Sequence, residues 1–542
     1  MNLFLTFFLL LYQLAFGLRN RQITLQHGKI LGGSMTDTVN VYLRGNAHDY
    51  DNWAENLGAG PGWSAQAVLP YFLRTENNTD PAVVAAAPAY VHSTSGPLKV
   101  STVPNPDPIT TKWLNAVVGM GWPKTDFADF YHQYGVSLPQ TTQSPNNWTR
   151  ETTATVFIEP VLGTRTNLHL LLNAHVTRIL FNNSPNSGSP MMTTGLRATG
   201  VEFSRPDGTL TTVRARKEVI LSAGSLNSPQ ILMLSGVGPR DHLNSLGIPV
   251  LADLPVGSTL YDHPKIPLDF TVNNASDITL TGDVFGAMNV QNLYQFYLYA
   301  TGPLSRKAYT YTYFGTGVNG DQEWPDAISY QLISQVYPDM DVQVSGYDQS
   351  RADQWRTYFN QWADASNHIY LSMLLFRTLS SGSVRLASRN PYDAPLIDPA
   401  VFSVRQDLDA TVRAMSILFQ QTETPIGRQL YSYSRLPVPG CTFCTDGRPI
   451  SACLSYLTCV AQQVTLVDYH EVGSNRMGNA SSPDAVVDER LRVRGIGSLR
   501  IIDASVMPAI PTTPMNTPTM MVAEKGVHML QQDWGLAGPN LN

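Results

Sequence analysis

The sequence predicts a mixed α/β chain, in which an α/β part of strand–turn–helix units is interleaved with an α+β part rich in strands and long loops. Three observations predict it. Val219-Ile220-Leu221-Ser222-Ala223-Gly224 reads as a buried strand ending in a small-residue turn, followed by an apolar helix that Gly236 and Gly238 end. Leu499–Ser505 repeats the pattern near the C-terminus: a strand, a Pro-punctuated turn from Met507 to Pro518, and a helix starting near Thr519. Between the two, from about Lys265 to Ser434, the composition shifts toward strands and long loops.

Length and composition bound the answer further. The 542 residues, 43% hydrophobic and 14% charged, suffice for two or three folded units and exclude a disordered chain. A net charge of −6 with no long basic run argues against nucleic acid or an anionic membrane as the partner. Residues 1–17 are almost wholly apolar and end in Ala15-Phe16-Gly17, which reads as a signal peptide or as a non-genuine start. Arg19 and Arg21, which follow the run, would also suit an anchor, but the run is short for a stable membrane span. The expected location is therefore secreted or extracellular.

All four cysteines, Cys441, Cys444, Cys453 and Cys459, fall in one short interval, which suits two local disulfides in an oxidising compartment. Cys441-x-x-Cys444 is also half of a zinc pattern, but Cys453 and Cys459 are too far apart for a usual second half, so no metal site is expected. Their pairing is not readable from the sequence. Nesting Cys444–Cys453 inside Cys441–Cys459 is one option among the three.

In chain order, Gly28-Lys29-Ile30-Leu31-Gly32-Gly33-Ser34 reads as a tight turn into the alternating run Val39–Arg44. Asp49–Ala54 and Gly62–Phe72 have the apolar spacing of short core-packing helices. Leu168–Leu172 and His175–Phe181 read as strands. The helix after Gly224 is expected to start near Ser228-Pro229, with proline in its first turn. Gly315-Thr316-Gly317-Val318-Asn319-Gly320 is a literal G-x-G-x-x-G, but Asp321–Asp326 breaks any helix after it, so a hairpin loop is expected instead. Asp407–Gln421 reads as an amphipathic helix. His470 stands in an apolar segment, Val467–Gly473, and is a candidate proton acceptor near neutral pH.

Several of these stretches resemble the glucose–methanol–choline (GMC) oxidoreductases, flavoenzymes that oxidise alcohols. The resemblance is carried by Tyr469-His470-Glu471-Val472-Gly473-Ser474 with Met477-Gly478, by Asp503–Pro508 and Met520–Lys525, by Glu218–Gly238 and Asp262-His263-Pro264, and by Leu31–Ser34 and Trp324-Pro325-Asp326. It runs with gaps from about Leu18 to about Leu530. It implies FAD as cofactor and a small-molecule alcohol as substrate, oxidised at a CH–OH group, and it leaves the electron acceptor open. It implies that His470 is the catalytic base. It puts Gly32, Gly33, Ser222, Ala223, Gly224, Asp503, Ala504 and Asn516 near the cofactor, and the main chain of Val176 at its adenine end. The implied division is 18–264 and 466–542 for an α/β FAD-binding, Rossmann-like part, interleaved with 265–465 for an α+β substrate part built on an antiparallel sheet.

Three departures from the family pattern stand out. Pro514 occupies the place of a His or Asn that partners the catalytic histidine, and proline has no side-chain donor. Thr38-Val39 replaces a flavin-facing Asn-Gly. No G-x-G-x-x-G turn stands before Gly28. They predict an incomplete Rossmann-like unit, weak FAD binding and low turnover, or alternatively a secreted non-catalytic relative that binds a small ligand or a protein partner. A serine hydrolase is not expected, because no G-x-S-x-G elbow is present.

Overall fold

The computed structural model describes residues 11–15, 18, 21–25, 27–36, 40–104, 106–182, 195–278, 290–305, 309–333, 347–362 and 367–538. Most of the leader-like run lies outside these residues, and so does the Thr38-Val39 departure. Of the leader-like run, Leu11–Ala15 is described, as a strand paired antiparallel with Arg21–Leu25.

The long middle segment folds on an antiparallel seven-stranded sheet. Its order is Tyr431–Tyr433, Pro264–Val272, His368–Leu375, Ala327–Ile333, Tyr311–Phe314 and Gly135–Ser137, with Leu466–Val467 also paired to Pro264–Val272. The G-x-G-x-x-G segment is the connection between two of these neighbours, as expected of a hairpin. Asp326 holds it, accepting from the Thr316 N–H and hydroxyl at 2.7 and 2.6 Å and from the Asn319 N–H at 3.2 Å. The amphipathic helix runs Arg405–Thr422 and presses Leu408, Val412, Met415 and Phe419 onto the sheet's core. Phe270, Trp113, Trp355 and Phe359 complete that core, and each buried side chain of this size contributes about 1.5–3 kcal/mol. The cysteines do pair nested, Cys441–Cys459 and Cys444–Cys453, with Cα atoms 5.7 and 5.9 Å apart.

A second core collects residues from both ends of the chain. Ala47–Glu55 and Ala65–Thr75 are helices, as their spacing predicts, and bury Tyr50, Trp53, Val68 and Phe72. The first is closed by a capping box in which the Asn46 side chain and Asp49 carboxylate satisfy each other's backbone N–H groups. Val219–Leu221 and Leu499–Ile501, about 280 positions apart on the chain, lie side by side as a parallel pair. A three-stranded antiparallel sheet, His175–Phe181, Ala198–Ser204 and Leu210–Arg214, packs against the helix after the first of these strands.

Three expectations need correction. Leu168–Leu172 forms no ladder, and Leu171 and Leu172 are each 60% exposed. An apolar run becomes a strand only where a neighbour takes its backbone hydrogen bonds, and none does among the described residues. Of the run read as an edge strand, the described residues Asn40–Arg44 likewise form no strand beyond a single bridge at Val41, and Asn40 takes the left-handed conformation at φ 65°. Finally, the helix expected from Ser228-Pro229 spans Gly224–Leu234, so Pro229 lies inside it.

Two tertiary contacts make that early start possible. Asp503, from the other strand of the parallel pair, accepts from the Gly224 N–H at 2.9 Å and the Ser228 hydroxyl at 2.5 Å, which caps the helix from outside. Pro229 has no N–H for the Ser225 carbonyl one turn earlier, and the Ser474 hydroxyl donates to that carbonyl instead, at 2.6 Å. Ser474→Ala should therefore destabilise the fold by about 1–3 kcal/mol, because it strands a buried carbonyl. Chemical denaturation with an unchanged slope is the measurement, and a midpoint equal to that of the unaltered chain would contradict this account.

Candidate functional site

The site forms where three distant segments meet at the edge of the sheet. Asp262-His263 precedes the long strand Pro264–Val272, and Tyr261 pairs with Val472 across an antiparallel bridge. That bridge lays the segment 468–474 beside residues 261–263. Asp262 ties the two together by accepting from the backbone N–H of His263 at 2.7 Å and of His470 at 2.9 Å. Between these ties Tyr469 holds a φ of 60°, a strained conformation for a bulky residue. The strain turns His470 inward.

The result is a pair of imidazoles. His263 Nδ1 and His470 Nδ1 are 2.9 Å apart, with the rings nearly perpendicular. His263 is fully buried against Phe376, whereas the His470 side chain keeps 13% of its surface open. Burial takes the His470 imidazole below its ordinary range, against the pull of Asp468 and Glu471. Burial, reinforced by His470, takes His263 well below. Both rings are therefore neutral near pH 7, and the 2.9 Å contact requires one Nδ1 to carry the proton and the other to accept it.

Charges ring the pair at short range. Asp468 lies 3.7 Å from His470 Nε2 and 2.9 Å from the Lys265 ammonium. Burial works against the Lys265 charge, but Asp468 outweighs it and holds the ammonium well above its usual range. Burial also works against the Glu471 charge, but His27, 3.1 Å away, keeps that carboxyl below the usual range. Burial and then the Glu471 charge push Asp262 well up.

The residues expected near the cofactor fall into two groups. Ser222, Ala223 and Gly224 meet Asp503 and Ala504 directly through the parallel pair and the Asp503 cap. The Ser225 hydroxyl donates to the Glu471 carbonyl at 2.5 Å, and this couples the turn to the histidine segment. His27 brings the Gly28–Gly33 turn to the same place. Val176 and Asn516 sit farther out. Val176 is on the three-stranded sheet behind the helix Gly224–Leu234, and Asn516 opens the last helix, Asn516–Asp533. That helix starts three residues before the expected Thr519.

Two glycines show whether a large planar group fits here. Gly33 and Gly224 have positive φ, 62° and 80°, and a Cβ built on either would meet nothing within 4 Å. Their backbones thus face open space, as close approach to a ligand requires, and the seat fits such a group. Gly32 is different: a Cβ there would strike the Thr36 hydroxyl at 2.7 Å, so this glycine serves the turn's own packing. The Asp503 carboxylate is also turned into the protein, engaged with Gly224, Ser228 and Ser505.

Sequence reasoning missed His263, Asp262, Asp468, Lys265 and His27 as site residues. Asp262-His263-Pro264 was visible as a motif, but nothing in the sequence says that His263 touches a residue 207 positions away. Among the described residues no cluster of His, Cys, Asp and Glu could hold a metal ion, and no helix is long and apolar enough to cross a membrane.

Comparison with known proteins accords with this geometry. Residues 8–265 match the N-terminal and residues 378–523 the C-terminal model of the GMC oxidoreductases. The glucose dehydrogenase [FAD, quinone] of Drosophila melanogaster is 31% identical over 510 residues, which cover 94% of this chain and 75% of the relative. The ecdysone oxidase of Bombyx mori is 31% identical over 520 residues, covering 95% and 72%. In fold the chain is similar to an FAD-dependent oxidoreductase from Chaetomium thermophilum, with a TM-score of 0.77 at 24% identity over 98% of this chain and 91% of that one. With both halves matched in order and the relatives covered over most of their length, this chain belongs to the glucose–methanol–choline (GMC) oxidoreductase family.

Proposed function

We propose that the protein is an FAD-dependent oxidoreductase that acts on the CH–OH group of a small alcohol, with His470 as the base. The observation that carries this reading is the pair of neutral imidazoles, buried at Nδ1 and open at His470, beside two turns whose Gly33 and Gly224 backbones face free space. The names of the relatives point the same way, since glucose and ecdysone are both alcohols and one name includes FAD.

Bound FAD supplies the acceptor for the hydride that leaves the carbinol carbon. The chain's own residues prepare the hydroxyl. The carbonyls of Phe376 and Pro511 lie near the His263 ring and favour a proton on it, although its buried Nε2 has no hydrogen-bond partner among the described residues. With that proton on its Nε2, His263 accepts at Nδ1 from the Nδ1–H of His470. The lone pair of His470 then lies at Nε2 and takes the hydroxyl proton. Asp468, 3.7 Å from that nitrogen, steadies the imidazolium that forms. His263 thereby fills the partner role that Pro514 has no side-chain donor or acceptor to fill. When FAD binds, Gly33, Ser222, Ala223, Gly224 and Ala504 would lie beside it, Gly32 would shape the turn that carries Gly33, Asn516 would approach it from the start of the last helix, and the Val176 main chain would meet its adenine end. Asp503 contributes by holding the turn.

We assign the second core to the FAD-binding part, residues 18–264 and 466–542, and the seven-stranded sheet to the substrate part, residues 265–465. The two disulfides support a secreted location. Pro514 also favours a second reading, a GMC-like protein with little or no turnover that binds a small ligand or a partner.

A visible spectrum separates the two readings. Flavin bands on the purified protein, or after addition of FAD, support the enzyme, whereas a folded, colourless protein that takes up no FAD supports the alternative. In a yellow protein, His470→Ala should slow alcohol-dependent flavin reduction by ~10²-fold or more, and unchanged reduction would remove His470 from its role. Stability should also respond to acid. His263 and His470 titrate below their unfolded value of about 6.5, so the unfolded chain takes up protons first, and stability should fall as the pH drops below that value. His263→Phe should flatten this dependence of melting temperature on pH between about 5 and 7, and an equally steep profile would contradict the neutral pair.

A further inference from the structure

A separate cleft of about 320 Å³ opens behind the histidine pair. It is lined by Asp49 and Asn52 of the first helix, Tyr261, Trp324, Arg377, Leu379 and Ile510, among others. Its walls are the reverse sides of the segments that hold His263. Tyr261 faces the cleft while Asp262 and His263 face the site, Arg377 follows the Phe376 that packs on His263, and Ile510 precedes Pro511.

Arg377 is the chemically unusual wall. Its guanidinium lies flat over Trp324, 3.4 Å from the ring centroid, and the Trp324 indole is itself fixed by donating to Asp49 at 2.8 Å. The arginine is half-buried, and its main-chain N–H donates to the Asp326 carbonyl, yet among the described residues none of its guanidinium N–H groups meets an acceptor within hydrogen-bonding distance. Three carboxylates lie near it, Asp49, Asp326 and Asp321. Each is engaged elsewhere: Asp49 with Trp324, Thr512 and Asn46, Asp326 with Thr316 and Asn319, and Asp321 with Glu323 and Trp324. They temper the positive field without forming an ion pair. The stacked, planar fork therefore presents its donors to the cleft in a fixed geometry, and a carboxylate matches that geometry with two parallel hydrogen bonds. Leu379, 50% exposed, and Tyr261 and Ile510 beside it offer apolar surface for the body of such a ligand.

We propose that this cleft is a binding site for a small organic carboxylate, read by Arg377 and seated against Tyr261, Leu379 and Ile510. It is distinct from the alcohol site and does not depend on FAD or on His470.

Isothermal titration of the full chain with benzoate tests it, with benzamide as the uncharged isostere. Benzoate should bind and benzamide should not, and Arg377→Met should weaken benzoate by about tenfold or more. Leu379→Trp, which fills the cleft and leaves the arginine in place, should weaken it as well, and serves if Arg377→Met fails to fold. Equal binding of benzoate and benzamide, no binding of benzoate, or affinity unchanged in both variants would overturn the proposal.

Discussion

One carboxylate ties together two segments that lie 279 positions apart on the chain. Asp503 sits at the end of one strand of the parallel pair and caps the helix that follows the other. It is buried and saturated by donors from Gly224, Ser228 and Ser505. Burial raises its pKa, and those donors counter the rise. A buried carboxylate of this kind is tolerated only when its lone pairs are satisfied, so the partners stand or fall together. Through this contact the turn Ser222–Gly224 acquires a defined place beside Ala504, and the open face of Gly224 is aimed outward rather than into the core.

The rest of the site hangs from that contact. Ser225, in the first turn of the capped helix, reaches the Glu471 carbonyl, and Ser474 returns a hydrogen bond to the Ser225 carbonyl. These two hydroxyls anchor the segment that bears His470 to the same helix. The segment is held on its other side by Tyr261 and Asp262. The imidazole pair thus stands between the two cores, with its protonation set by burial more than by any single charge. Each carboxylate beside the pair has a basic partner, Lys265 for Asp468 and His27 for Glu471.

Much of the fold was legible from local signals. The helices at Ala47–Glu55, Ala65–Thr75 and Arg405–Thr422 follow from apolar spacing, and the hairpin loop at Gly315–Asp326 follows from the absence of a helix after it. Where the reading failed, the deciding contact came from far along the chain. Leu168–Leu172 has the composition of a strand but finds no neighbouring strand among the described residues. The helix at Gly224 starts earlier than local rules allow because Asp503 supplies its cap and Ser474 covers for Pro229. The candidate site was legible in the same uneven way. His470 and the Ser222–Gly224 and Asp503–Ala504 turns stand in recognisable motifs. Asp468 and Lys265 do not, and His263, although its Asp262-His263-Pro264 motif is visible, gains its meaning as they do only when residues 261–265 lie beside 466–474.

The sequence by itself carried the motifs that resemble the family, one of them with the candidate base, and the types of most elements, because these are local runs of residues along the chain. Only the tertiary structure decided which imidazole pairs with His470, which glycines face open space rather than packed protein, and that an arginine stacked on Trp324 lines a second cleft. Those are distances and exposures between residues tens to hundreds of positions apart, and burial, which sets both the protonation and the reach of each group, exists only once the chain has closed on itself.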